Sequence, residues 1–539
     1  MSNVSRDSDI PVVIPPGDVA PKGNPAGSSM LNPDLLSGSP ALESNFAIFG
    51  MMFAVWVLID QSFFPQWMNA YPSLFTAPLA AMVLLRPNSV RLFLVMMLAS
   101  LWSFWWKSPY NVNNVFIGGF FASLILMGAA IYIVKNRHLP ASLGELERGS
   151  FPAMRVGVIG IFAFAVLHKS NMAFLDPRMS CAVIHTERLL KLTATVMSHL
   201  GLGSLTWMLP SIKNPAVAVG SIHLTLATEA AIPIILALGW MRFPSRKLIT
   251  FGIIFALGFH FVMSFNGYQN FSVMAVAYYV PFLPVGFYRS VSNTIARLKR
   301  GAAANALRAM MYMSALAVVV FATELFLFAV IKIARPGVTL RGEKFLRQEG
   351  WLLFNFGVAP AVALIFCLIS YIRRREPNQL GGTKLPLWTA IPLFVVVLNS
   401  MSPYLGLKTE NSFAMFSNLL TEGDISHWNH AFLPPSMRVF HFQDNLVMVQ
   451  KTSLDPKSKV GALQDGKFEM VEFEFKREMA NACKHIAEPI EIDYTINGVP
   501  HHVADAHLDP YMTEGNGAIL EKLMYFRLVP NSPYGICLH

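Results

Sequence analysis

Long runs with almost no charge constrain this chain more than any other feature. "FAIFGMMFAVWVLI" (46–59), "VFIGGFFASLILMGAAIYIV" (115–134), "FGIIFALGFHFVMSF" (251–265) and "ALAVVVFATELFLFAVI" (315–331) are nearly devoid of ionisable side chains. An apolar helix of roughly 20 residues crosses a bilayer core. Composition agrees: 54% of residues are hydrophobic, only 14% are charged, and mean hydropathy is +0.45. A soluble domain carries about 25% charge. The pattern predicts a polytopic α-helical membrane protein, with spans near 45–61, 73–86, 90–106, 115–134, 155–170, 217–240, 248–265, 270–288, 309–333, 351–373 and 386–401. The second is short, so the expected count is nine to eleven. Segment 182–212 reads as an amphipathic helix at the membrane surface or capping a cavity.

The basic loops set the expected orientation. Arg86 and Arg91, then "KNRH" (135–138) with Arg155, "RFPSRK" (242–247), "RSVSNTIARLKR" (289–300) and "RRRE" (373–376) fall on one side, which the positive-inside rule makes cytoplasmic. Loop 334–350, with Arg335, Arg341, Lys344 and Arg347, dissents. Residues 1–44, rich in Pro, Gly and Ser and without a signal-peptide pattern, read as a disordered cytoplasmic tail. The helical domain is expected over 45–401, and 402–539 on the periplasmic or other extracytoplasmic side. The net charge of +10 belongs to these loops, and no basic stripe interleaved with aromatics points to nucleic acid.

After residue 401 the apolar runs shorten and alternate. "MRVFHF" (437–442), "NLVMVQ" (445–450), "FEMVEFEFK" (468–476) and "IEIDYTI" (490–496) read as strands, and "REMANACKHIA" (477–487) as a short helix. Asn-Gly within "TINGVP" is a hairpin signal. A β-rich α+β domain with its own core is expected, and an oxidising compartment makes Cys483–Cys537 a candidate bridge. The histidines of "SHWNH" (426–430) and "HHVADAH" (501–507) follow no ligand spacing, so no metal is expected.

Ionisable and amide side chains near the apolar runs are the candidates for chemistry. The fifth apolar run ends on "LHKSNMAFLDPRMSCA" (167–182). Lys169 there is either an anchor whose amine reaches water or a desolvated amine that serves as a base near neutral pH. His168, when protonated, would favour the neutral lysine by like-charge repulsion. His223, Glu229, His260 and Glu324 lie inside spans, where ionisable groups are costly. Pro233 follows Glu229 by four residues and is placed to kink that helix. Asn113 and Asn114 open the fourth long run, as helix caps or as amide partners for a substrate. Asn113, Asn114, His168, Lys169, His260 and Asn266 map to the outer face, with His260 at the depth of Lys169.

"LHKSNMAFLDPRMSCA" together with "FHFVMSFNGYQNFSVMAVAYYVPFLP" (259–284) resembles the HTTM family, whose best-known members are the vitamin K-dependent γ-glutamyl carboxylases. The family's (K/H)-K-x-(N/D) segment, with an aromatic three positions later, matches His168, Lys169, Asn171 and Phe174; the second segment matches through His260, Asn266, Phe271 and Met274. "MSPYLGLKTENSFAMFSNLLTE" (401–422) and "AEPIEIDYTING" (487–498) are similar to segments that follow the family's membrane domain. The resemblance spans roughly residues 45–530, thinly outside these segments. It implies a reduced vitamin K or menaquinol-type quinol as cofactor, O2 and CO2 as co-substrates, and a peptide or secreted client as acceptor. It places Lys169 at the catalytic base, Asn114 and His260 at the glutamate, His168 beside the base, and Arg188 as a carboxylate clamp. One departure stands out: the carboxylases follow the Asn-Asn pair with histidine, and this chain has Val115.

The resulting expectation is a carboxylase-like membrane enzyme that couples quinol oxidation to glutamyl modification. A non-enzymatic membrane factor for a secreted client and a small-molecule transporter are the alternatives. The absence of a clear internal repeat disfavours the transporter.

Overall fold

The computed structural model describes residues 42–63, 70–199, 201–242, 245–264, 269–298, 364–365, 367–369, 371–372, 384–531 and 537. The long helices are α1 (Asn45–Phe63), α2 (Ala70–Leu85), α3 (Val90–Lys107), α4 (Asn113–Asn136), α5 (Leu143–Lys169), α7 (Cys181–His199), α8 (Pro215–Ala237), α9 (Arg246–Ser264), α10 (Gln269–Tyr279) and α11 (Phe287–Leu298), with the short α6 at Met172–Leu175. A further helix, α12, covers Ala390–Leu405. Six of the described helices are long and apolar enough to cross a membrane. The pair Asn270–Phe282 and Phe287–Asn293 is apolar enough only when taken together, and it is bent by 118°, as a broken span or a re-entrant loop is. Two shorter apolar helices precede them, at Asn45–Asp60 and Phe75–Leu85.

Local chemistry sets the helix ends. Ser89 caps α3 by accepting from the Leu92 amide, and Asn214 caps α8 from Ala216, with Pro215 at the first helical position. Gly406 closes α12 with φ 79°, and a Cβ there would collide with the Phe440 carbonyl. Helix α5 starts at Leu143 rather than near 155: the charged turn "GELERGS" is helical because Leu143, Leu146 and Phe151 are buried on one face. Arg155, expected beside a loop, is therefore buried within α5 and donates to the Pro281 carbonyl at 2.6 Å. The run expected as one span over 270–288 breaks at Val280–Phe282, where Pro281 removes a backbone donor. The spans expected at 309–333 and in most of 351–373 lie outside the described residues, as do Glu324 and Asn266.

The C-terminal region holds a five-stranded antiparallel sheet, in the order β4-β3-β1-β2-β5. Its strands are β1 (Leu446–Thr452), β2 (Phe468–Val471), β3 (Ile492–Ile496), β4 (Val499–Val503) and β5 (Leu528–Pro530). Helix α13 (Glu472–His485) covers one face and buries Phe475 and Met479 against Val447, Val449, Ile492 and Tyr494. The hairpin expected at Asn-Gly is present, with φ 48° at Asn497 and 81° at Gly498.

Two expectations fail here. "MRVFHF" is a turn and extended coil, with Val439 and Phe440 exposed rather than paired. "FEMVEFEFK" is strand only to Val471, because Phe473, Phe475 and Met479 fall at helical spacing on a buried face.

The sheet region is laced to the helices. Thr409 and Glu410 donate from their amides to the Tyr525 carbonyl at 3.3 and 3.0 Å, and Gln443 Nε2 donates to the Pro403 carbonyl at 2.8 Å. Residues 41–539 cluster as one compact unit.

The disulfide joins Cys181, at the start of α7, to Cys537, while Cys483 is free. Cys483 was the expected partner of Cys537, but α13 carries it to the sheet core instead, where it packs beside Met479 and Ile486. Non-reducing peptide mapping will link the Cys181 and Cys537 peptides and find Cys483 alkylated without reductant. A Cys483–Cys537 peptide would refute the assigned pairing.

Candidate functional site

Lys169 is the last residue of α5, and its ammonium is buried at 4% exposure. Its Nζ lies 2.9 Å from Glu229 Oε2 on α8 and donates to the Met415 carbonyl at 3.1 Å. The lysine is therefore not an interfacial anchor. A charge taken out of water needs a partner and further hydrogen bonds. Glu229 supplies the first and a coil the second. Pro233, inside α8, leaves the Glu229 carbonyl without its usual helical donor.

That coil, residues 411–418, is unusual. Asn411, Phe413, Phe416 and Asn418 all have φ between 51° and 64°, the left-handed region that non-glycine residues rarely enter. For phenylalanine this conformation is costly, and at Phe413 full burial against Phe116, with ring centroids 5.5 Å apart, holds it. The turned backbone aims its carbonyls at the helix ends. Ser412 faces His168, Met415 faces Lys169, and Ser417 accepts from Asn171 Nδ2. Asn113 Oδ1, at the start of α4, accepts from the Phe413 amide at 2.9 Å. Asn418 Oδ1 accepts from the Cys181 amide at 2.8 Å. The start of α4, the end of α5 and the start of α7 thus converge on one strand of coil.

His168 is fully buried, donates from Nε2 to the Ser412 carbonyl at 3.1 Å, and so accepts at Nδ1 from the Tyr404 hydroxyl at 2.8 Å. Both nitrogens are satisfied in the neutral ring, so His168 holds the end of α5 in place rather than repelling the lysine. His430 braces the same helix end by bonding the Leu167 carbonyl at 2.9 Å. Asn171 caps α6 through the Phe174 amide.

The remaining sequence candidates are spread out. His260 is buried on α9, with Nε2 2.9 Å from the Tyr279 hydroxyl, and its Nδ1 has no partner among the described residues. Its ring packs on Phe162 of α5. Phe162 precedes Lys169 by two helical turns, about 10 Å along the axis, so His260 sits deeper than expected. Asn114 is buried, and its Nδ2 has no partner among the described residues. Arg188 and His223 are exposed on α7 and α8.

Sequence reasoning missed a second set of charges, just past α12. Arg527 and Glu422 form a buried two-pronged pair, at 2.7 Å from Nε and 3.0 Å from Nη2. Burial alone would raise the Glu422 carboxyl, but the guanidinium holds it below its ordinary range. Lys408 and Glu410 stand nearby, and neither head has a hydrogen-bond or ion-pair partner among the described residues. The Lys408 ammonium lies 5.0 Å from the Phe116 ring centroid. Burial pushes Lys408 down to about 8 against the opposing pull of Glu410. Burial likewise pushes Glu410 up to about 7 against the pull of Arg527. A period-two pair of opposite charges in "GLKTEN" was the available signal.

Comparison of the chain with protein-family models, with curated proteins and with solved structures finds no match.

Two measurements check this site. Replacing only Glu229 by Gln strands a buried ammonium and costs about 3–5 kcal/mol, whereas the pair Lys169→Met with Glu229→Leu recovers most of that stability. Thermal unfolding of the three proteins reads the difference, and equal losses would show that the pair is unimportant. In the folded protein Glu410 keeps its proton up to about pH 7, while the unfolded carboxyl loses it near 4.5. Stability therefore falls as pH rises through that window. Glu410→Gln will remove that fall, making the variant more stable than the parent at pH 7.5 but not at pH 4.

Proposed function

We propose that the chain is an integral membrane protein in which Lys169 and Glu229 form a proton-handling pair for a lipid-soluble substrate. The substrate is a quinol of the vitamin K or menaquinol type, and its oxidation is coupled to modification of a glutamyl side chain. In this reading the N-terminus is cytoplasmic, and the Lys169 end of the bundle faces the extracytoplasmic side with the sheet region. The Cys181–Cys537 disulfide supports that side, since disulfides persist in oxidising compartments.

The observation that carries the proposal is the short, buried contact between an amine and a carboxylate at the end of a span. Transfer of one proton from Lys169 Nζ to Glu229 Oε2 leaves a neutral amine, which is a general base. Met415 O keeps the amine aimed, and His168 with Tyr404 fixes the helix end that carries it.

The residues present suit a quinol in one respect. Asn114 Nδ2 and His260 Nδ1 are buried polar atoms without partners among the described residues, as a hydroxyl-bearing ligand needs. A bound quinol supplies the electrons and the acidic hydroxyl for such a reaction. Asn114 Nδ2 and His260 Nδ1 would each offer a hydroxyl one hydrogen bond. Val115, where the carboxylases carry histidine, leaves the acceptor step with one proton carrier fewer, so quinol oxidation is the stronger half of the reading.

The test uses protein reconstituted with reduced vitamin K or menaquinol, oxygen and labelled bicarbonate, scoring oxidised quinone and label in a glutamyl peptide. Quinol oxidation is expected to drop by about a hundredfold or more in Lys169→Met with Glu229→Leu, the variant that keeps the fold. No oxidation of any quinol by folded parent protein overturns the proposal and favours a non-enzymatic role in maturing a secreted client.

A further inference from the structure

Another buried ion pair lies apart from Lys169. Asp60, near the end of α1, accepts from Lys107 Nζ at 2.8 Å and from Asn270 Nδ2 at 2.8 Å. The pair is buried at 5% and 10% exposure. Beside it is a small cavity between α1, α2, α3 and α4, lined among others by Trp56, Ser100, Val115 and Gly118.

Four features define what this cavity takes. Its volume of about 20 Å³ suits one water molecule. The Trp56 Nε1 and Ser100 Oγ atoms are buried without partners among the described residues. A buried indole N–H or hydroxyl left without a hydrogen bond is costly, so these atoms call for a ligand. Trp56 Nε1 and Lys107 offer only donors, and the Asp60 carboxylate only acceptors. A cation would meet the ammonium, and an anion would meet the carboxylate. Only a neutral group that both donates and accepts satisfies every wall.

We propose that this pocket is a hydration site, in which one water bridges Trp56 Nε1 and Ser100 Oγ to the Asp60–Lys107 pair inside the helical bundle. The water accepts from the indole and donates to Asp60, which lets the pair remain charged away from bulk solvent. Dry cavities in proteins are apolar, and this one is not. The glycines of α4 keep it open. A Cβ at Gly118 would fall 2.6 Å from Trp56 Cη2, and one at Gly119 would fall 2.8 Å from Phe104 Cγ, so either would push an aromatic ring toward the cavity.

X-ray hydroxyl-radical footprinting of the intact protein in nanodiscs tests this, because radicals generated from a bound water mark the residue it touches. Trp56 is expected to be oxidised although it is buried, whereas Phe49 and Phe53, in the aromatic core, stay unmodified. Ser100→Val, which puts methyl groups in place of the hydroxyl, is expected to lower Trp56 labelling about fivefold while Trp240 labelling stays constant. Gly118→Ala is the second variant, with the same expected loss. An unlabelled Trp56 in the parent protein overturns the proposal, as does labelling unchanged in whichever variant folds.

Discussion

Burying a lysine ammonium without a counter-charge is costly, and much of the candidate site answers that cost at Lys169. Lys169 ends an apolar helix with its Nζ buried, so it needs a counter-charge and a further acceptor. Glu229 reaches it from α8, and the Met415 carbonyl reaches it from the coil. The coil offers that carbonyl only because four of its residues occupy left-handed backbone conformations. Those conformations persist because Phe413 is buried and Asn113, Asn171 and Asn418 hydrogen-bond the coil to the helices. Satisfying one charge thus fixes the relative placement of α4, α5, α7 and α8.

The same logic recurs around the bundle. Asp60 with Lys107, and Glu422 with Arg527, are buried pairs that each recruit a third group: Asn270 for the first, the Leu419 carbonyl for the second. Such pairs add little net stability compared with apolar packing, but breaking one is costly. With contacts such as Arg155 to the Pro281 carbonyl, they help fix which helix faces which neighbour among largely apolar surfaces. Lys408 and Glu410 differ: among the described residues their heads have no hydrogen-bond or ion-pair partner, and burial pushes Lys408 down to about 8 and Glu410 up to about 7.

Much of this was legible in the sequence, and the rest was hidden for physical reasons. Apolar runs located the helices because a span must be apolar throughout, and Asn497-Gly498 located its hairpin because few residues tolerate that turn. Lys169 and Glu229 each drew attention as charges in apolar surroundings, yet nothing local says that residues 60 apart will meet. Asp60 and Lys107 escaped notice because each ends an apolar run, where a charge usually reaches water. The coil was hidden because its left-handed residues are asparagine and phenylalanine rather than glycine. Cys483 misled through proximity in sequence: the bridge spans 356 residues, and only the packing of α7 brings Cys181 to Cys537.

Lys169 and Glu229 form a buried ion pair rather than an anchor at the membrane surface. Infrared difference spectroscopy of the parent protein against Glu229→Gln, with isotope-labelled glutamate, reads the protonation of that carboxyl directly. The variant is expected to lose an ionised carboxylate band whose position resists deuterium exchange, as a dry paired group requires. A protonated carboxyl band at neutral pH, or a carboxylate band that exchanges freely with solvent, would contradict it.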